Sequence, residues 1–219
     1  MNTGNNIPLS VPYLKGNEWQ YLKNCLDSEW ISTSGPFVDQ FEEKIKKLTG
    51  VNFAVACING TSALQLALKV LGVETNDEVL VPSLTFIATI NSIKYNNAEP
   101  FFLDSDNYYN IDSEKVINFI LTKTSFKEGH SYNSITGKKI KAIIVVHVFG
   151  NAVFLDNLID LCKERNIKVI EDATESLGTN YIEGKYKNRH SGSIGDIGCL
   201  SFNGNKIITT GGGGMLITN

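Results

Sequence analysis

The sequence predicts an α/β domain: a mainly parallel β-sheet with helices covering both faces. Three observations lead there. Short runs that are apolar or β-branched throughout recur along the chain, as expected of strands buried on both sides. Between them lie segments whose apolar residues repeat at helical spacing. The chain has 219 residues with 42% hydrophobic content, enough to bury a sizeable core. Strands alternating with helices indicate parallel pairing through helical crossovers.

The elements follow in order. Trp19, Leu22 and Leu26 suggest a first helix. A second starts at Ser34-Gly35-Pro36, proline suiting a first helical turn, with Val38, Phe41, Ile45 and Leu48 along one side. FAVAC (53–57) reads as a buried strand. The next helix has Leu64, Ala67, Leu68 and Leu71 on one face and Gly72 as its stop signal. EVLVP (78–82) is a strand, LTFIATINSIKYN (84–96) a helix, and PFFLD (100–104) a strand. A helix over 113–121 takes Asp112 or Ser113 as its N-cap. Residues 122–139 are polar, lysine-rich and without periodicity, and are expected to form an exposed loop. KAIIVVHVF (141–149) is a β-branched strand, followed by a helix with Leu155, Leu158, Ile159 and Cys162 on one face. IKVIED (167–172), CLSF (199–202) and MLIT (215–218) complete the strands.

Charge and composition exclude several classes. A formal net charge of −3 argues against nucleic acid or an anionic membrane as the main partner. No apolar run approaches the ~20 residues that span a bilayer, and the N-terminus lacks the basic and apolar regions of a signal peptide. Cys25, Cys57, Cys162 and Cys199 are scattered singly, three of them within apolar runs, which suits buried thiols in a reducing compartment. A cytoplasmic protein is expected. His130, His147 and His190 show no metal-ligand spacing, so no metal site is expected. There is no GxSxG elbow, GxGxxG fingerprint or Walker A loop.

Ligands of open parallel sheets bind beyond the carboxyl ends of the strands, and several polar residues fall there. NGTSA (59–63) joins a strand to a helix, where Gly60, Thr61 and Ser62 suit either a phosphate or an ordinary cap. Glu171 and Asp172 end a buried strand, where a carboxylate must find a partner: the cap of a following helix, or a cationic ligand group. Glu175 lies three residues on. Phe86 is either core or a flat platform for a ring, and His147 is equally open. Lys206 lies in SFNGNKIITTGGGG (201–214), an unusual setting for a side chain that normally favours a solvated helix face. A phosphate cup, a carboxylate, an aromatic platform and a lysine at one sheet edge together suit pyridoxal phosphate.

The segments GTSALQLAL, PSLTFIAT, VIEDATESLG and GDIGCLSFNGNKIITTGGGG, in this order, resemble the DegT/DnrJ/EryC1/StrS family of nucleotide-sugar aminotransferases, of PLP fold type I (aspartate-aminotransferase-like). The opening IPLSVPYLKGNEWQYLKNCLDSEWISTSGPFVDQFE resembles its LegC-like branch, associated with legionaminic-acid pathways. The resemblance runs from about Ile7 to Thr218.

It implies that Lys206 bonds the aldehyde of pyridoxal phosphate and later shuttles a proton. Asp172 would pair with the pyridinium nitrogen, and Thr61, Ser62 and Ser201 would bind the phosphate. Phe86 would stack on the ring. Glu175 stands where relatives often carry Gln or His near the ring hydroxyl. Residues 1–35, through a loop at 30–35, would shape the sugar site, and 36–219 would form the cofactor-binding large domain. A smaller C-terminal domain would be missing. The implied reaction transfers an amino group from L-glutamate to a nucleotide-linked 4-keto-6-deoxy sugar, in a homodimer with its active sites at the interface. Two alternatives stand beside it: an inactive cofactor-binding fragment, or a sugar dehydratase, whose members carry His in place of the lysine.

Overall fold

The computed structural model describes residues 7, 8 and 10–219; residues 1–6 and 9, part of the stretch read for a leader, lie outside them. Helix α1 spans Glu18–Asp27 and α2 Pro36–Thr49, with Pro36 in the first turn and Gly50 as a left-handed C-cap. Then come β1 (Phe53–Cys57), α3 (Gly60–Val70), β2 (Glu78–Pro82), α4 (Ile87–Tyr95), β3 (Glu99–Leu103) and α5 (Ser113–Lys123). The side chain of Asp112 caps α5, accepting the Lys115 N–H at 3.1 Å. Strands β4 (Thr124–Lys127), β5 (His130–Asn133) and β6 (Lys139–Val146) precede α6 (Asp156–Glu164), β7 (Lys168–Asp172), β8 (Ile197–Ser201) and β9 (Gly214–Thr218).

The sheet runs β1-β9-β8-β7-β6-β2-β3. Pairing is parallel from β8 through β7, β6 and β2 to β3. β9 lies antiparallel between β1 and β8. Helices α3 and α4 cover one face, burying Leu64, Leu68 and Ile93 against Val79, Val81, Ile144, Ile170 and Cys199. On the other face α5 and α6 pack Ile120, Leu158 and Cys162 against Leu80, Ile143, Val145 and Val169. Helix α2 covers β9 and the end of β8 through Ile45, Leu200, Phe202 and Met215. No helix of the described residues is long and apolar enough to cross a membrane.

The expected loop at 122–139 is instead a β-hairpin. β4 pairs with β5, and β5 adds antiparallel to β6. Its contacts are polar, which is why apolar periodicity does not reveal it. Asn133 and Thr136 donate to the two oxygens of the buried Glu78 at 2.6 and 2.9 Å, and the Ser131 hydroxyl donates to Arg165 O at 2.7 Å. The strand expected to reach residue 149 stops at Val146, and Val148–Gly150 forms a short 3-10 turn.

The glycine run has a specific reason at its last position. A Cβ on Gly214 would collide with the Asn59 carbonyl and come within 2.8 Å of Gly60 N. Gly214 therefore lets β9 lie directly against the entry to α3. Gly214→Ala should cost about 3 kcal/mol, the upper end of ordinary overpacking, because its clash is with backbone. Gly212, with nothing within 4 Å of its position, is the control: urea denaturation should show Gly212→Ala near neutral.

Candidate functional site

Strand parity decides which polar residues share a face. Ile170 and Cys199 belong to the core under α3 and α4. Asp172 and Ser201, each two residues further on, therefore lie on that face at the carboxyl ends of β7 and β8. Glu171 lies on the other.

The α3 N-terminus completes this face. Asn59 caps it, its side chain accepting the Ser62 N–H at 2.8 Å. Among the described residues, the N–H groups of Gly60 and Thr61 and the hydroxyls of Thr61, Ser62 and Ser201 have no hydrogen-bond partner. Ser201 lies against this turn: a Cβ on Gly60 would fall 3.0 Å from Ser201 Cβ and 3.3 Å from its Oγ. Open N–H donors, hydroxyls and a helix N-terminus together fit a phosphate.

Asp172 is only 4% exposed. Its Oδ2 accepts the Thr89 hydroxyl at 2.8 Å, and Oδ1 accepts a long contact from Thr174 N–H at 3.3 Å. Thr85 donates to Thr89 at 3.0 Å, extending the chain of hydroxyls. No helix follows β7, so the capping role that the sequence left open is not taken. Among the described residues no cation pairs with Asp172. A buried carboxylate with hydrogen bonds but no counter-charge fits a protonated ring nitrogen. Phe86, in the turn between β2 and α4, is 76% exposed and belongs to no core cluster, so its ring is open to a ligand.

Lys206 lies in the 202–213 loop between β8 and β9. Its Nζ is 3.1 Å from Glu175 Oε1, and Glu175 Oε2 accepts the Phe149 N–H at 3.2 Å. The structure thus brings Lys206 and Glu175 together, and separately gathers Thr61, Ser62 and Ser201 around the α3 entry. Asp172 joins them through β7, which pairs with β8.

Three residues of this region carry roles that the sequence reading did not assign. Thr89 orients Asp172; a hydroxyl at i+4 from Thr85, within an apolar helix, was the available signal. His147 and Glu171 form a buried pair on the far face, Nε2 to Oε2 at 2.9 Å. The Val153 N–H donates to His147 Nδ1 at 3.0 Å, so the ring proton sits on Nε2 and is donated to Glu171. Glu171 also accepts the N–H groups of Gly192, Ile194 and Gly195 at 2.9, 2.6 and 2.6 Å. Burial pushes this carboxyl up, but the His147 bond and the backbone donors outweigh it and hold Glu171 below its ordinary value.

This cluster is an open sheet edge rather than an enclosed cavity. A cavity of about 340 Å³ lined by Ile159, Asn166 and Asp196 lies at the opposite edge, and one of about 430 Å³ between α3 and α4 shares only Ser62 with the cluster. Neither gathers the polar groups that chemistry would need. No group of three or more His, Cys, Asp or Glu among the described residues could hold a metal.

Comparison with known proteins identifies the fold and the family. GDP-perosamine synthase of Escherichia coli O157:H7 is 42% identical over 214 residues, covering 97% of this chain and 53% of that protein. The X-ray structure of the aminotransferase from Psychrobacter cryohalolentis has a TM-score of 0.81 at 34% identity, over 97% of this chain and 49% of that one. E. coli GDP-4-keto-6-deoxy-D-mannose-3-dehydratase with bound hydrated PLP has a TM-score of 0.81 at 25% identity, over 97% and 51%. The chain spans about half the length of the curated relatives it matches, and its fold is that of PLP fold type I sugar aminotransferases. The family model for DegT/DnrJ/EryC1/StrS aminotransferases matches residues 12–219, and the chain belongs to that family.

Proposed function

We propose that this chain forms the cofactor-binding part of a PLP-dependent aminotransferase that moves an amino group from L-glutamate to the keto carbon of a nucleotide-linked 4-keto-6-deoxy sugar. The observation that carries the reading is Asp172, a buried carboxylate lacking a cation, on the same sheet face as Ser201 and the open α3 N-terminus. The names of two relatives favour a GDP-linked hexose. Another similar protein, SpsC of Bacillus subtilis, is named for spore coat polysaccharide biosynthesis, which favours a surface glycan over the legionaminic-type product as destination.

Pyridoxal phosphate supplies the electron sink for bond changes at the amino-bearing carbon. The protein's own residues do the rest. The N–H groups of Gly60 and Thr61, with the hydroxyls of Thr61, Ser62 and Ser201, would bind the phosphate. Asp172, held by Thr89, would keep the ring nitrogen protonated, and Phe86 would lie against the ring. Lys206 would hold the aldehyde end of the cofactor through Nζ and would move a proton at that nitrogen. Glu175 holds that amine in place through its second oxygen's bond to Phe149. Residues 36–219 bind the cofactor, while residues 1–35 shape the sugar site. Helix α1 has no buried residue, which suits a segment completed by a second copy in a homodimer. A nucleotide sugar and L-glutamate as substrates suit a cytoplasmic enzyme. The lysine favours transamination over the dehydratase reading, which the resemblance associates with histidine at this position.

The test is to incubate the chain with pyridoxal phosphate, reduce with borohydride and map the labelled peptide by mass spectrometry. A pyridoxyl group on Lys206, lost in Lys206→Ala, is the expected result. Labelling elsewhere, or none, overturns the assignment.

A further inference from the structure

Two loops at the carboxyl edge of the sheet each hold a bulky aromatic residue in the left-handed region: Tyr109 after β3, at φ 70°, and Phe149 after β6, at φ 52°. For such residues this backbone is strained by about 1–3 kcal/mol. Burial does not compensate, since the two residues are 55% and 76% exposed. Their rings meet edge-to-face, with centroids 6.5 Å apart at 76°. The loops are fastened together by the buried Asn110, whose Oδ1 accepts the Val148 N–H at 3.1 Å and whose Nδ2 donates to Asn151 O at 3.2 Å. Asp106 Oδ1 stiffens the first loop by accepting the N–H groups of Tyr108 and Asn110 at 2.8 and 3.0 Å. Phe149 N–H in turn donates to Glu175, the partner of Lys206.

We propose that Tyr109 and Phe149 form an aromatic wall for the hexose of the nucleotide-sugar substrate, packing against its apolar C–H face and 6-deoxy methyl group. This rests on the function proposed above. Phe149 is separated from the Lys206 amine by a single carboxylate, and the reacting keto carbon must come to that amine. That carbon belongs to the hexose, whereas the base lies two phosphates away. A rigid aromatic pair held at a cost in backbone strain suits ring packing of this kind.

The variants are Phe149→Gly and Tyr109→Gly, because glycine adopts the same backbone without strain and removes only the ring. Each should melt no lower than the parent chain. Calorimetric titration of the PLP-loaded chain should show affinity for a GDP-linked 4-keto-6-deoxy hexose falling about tenfold, as expected for loss of one aromatic contact. Affinity for GDP alone should stay unchanged. Unchanged sugar affinity overturns the wall. An equal loss for GDP also overturns it, by placing the aromatics on the nucleotide, and so does a parent chain that binds neither ligand. Borohydride labelling of Lys206 in the parent chain tests the underlying function separately: a label with unmoved sugar affinity removes the wall alone.

Discussion

Replacing Glu171 with alanine should destabilise the chain by about 3–5 kcal/mol, because it leaves several buried donors unsatisfied at once. Three backbone N–H groups, from Gly192, Ile194 and Gly195, and the His147 ring N–H converge on this carboxylate, which is 0% exposed. In the parent the site is closed to bulk solvent. For a chain of this size the melting temperature should fall by on the order of 10 °C. Glu171→Gln, which keeps one acceptor oxygen, should fall between the two. The same bonds predict a pH dependence with a definite sign. The folded-state pKa of Glu171 is lowered from its ordinary value of 4.5, so the native chain favours the ionised form more than the unfolded chain does. Its contribution is fully present above that ordinary value, and it is lost as pH falls through the lowered folded value. Chemical denaturation followed between pH 6 and 3 should show the parent losing stability on acidification and Glu171→Gln losing less. Equal slopes would remove Glu171 as the source.

What the sequence made legible follows from where apolar patterning determines structure. EVLVP and IKVIED lie where the strands lie, because burial on both faces favours apolar runs. FAVAC is a strand too, but not the buried one expected: it forms the sheet edge, with Phe53 and Val55 exposed on one face. The 122–139 hairpin was invisible for the opposite reason: Asn133, Thr136 and Ser131 hold it with side-chain hydrogen bonds, which leave no periodic trace. At the site, VIED showed two carboxylates at a strand end. It did not show that one would be saturated by donors while its neighbour, on the other face, would lack a cation. That difference depends on the 190–195 loop and on Thr89, both distant in sequence from the carboxylate they serve. Lys206 and Glu175 stood out as residue types in odd settings, but their 3.1 Å approach depends on how the 202–213 loop returns to β9.

The contrast between the two adjacent carboxylates yields the prediction that separates scaffold from chemistry. Asp172→Asn should leave the cofactor-free chain about as stable as the parent, because asparagine can still accept the Thr89 hydroxyl, the bond given up to the Thr174 N–H is long at 3.3 Å, and no ion pair is broken. Removing an unpaired buried charge can even be favourable. The loss should appear only when pyridoxal phosphate binds. With the carboxylate absent, a protonated ring nitrogen would be buried without its counter-charge, a defect worth about 3–5 kcal/mol, or roughly 10² to 4 × 10³-fold in affinity. Fluorescence titration of the cofactor against both chains, beside thermal melts of both without it, measures the two quantities separately. Asp172→Asn should weaken binding without moving the melt. Glu171→Gln should lower the melt and affect binding only through the loops it holds. If Asp172→Asn instead lowers the cofactor-free melt and leaves the affinity intact, Asp172 is a structural residue and the ring-nitrogen assignment fails. Strand parity gives the reason to expect the first outcome: one step along β7 turns the side chain from a core saturated with donors to an edge that lacks a cation.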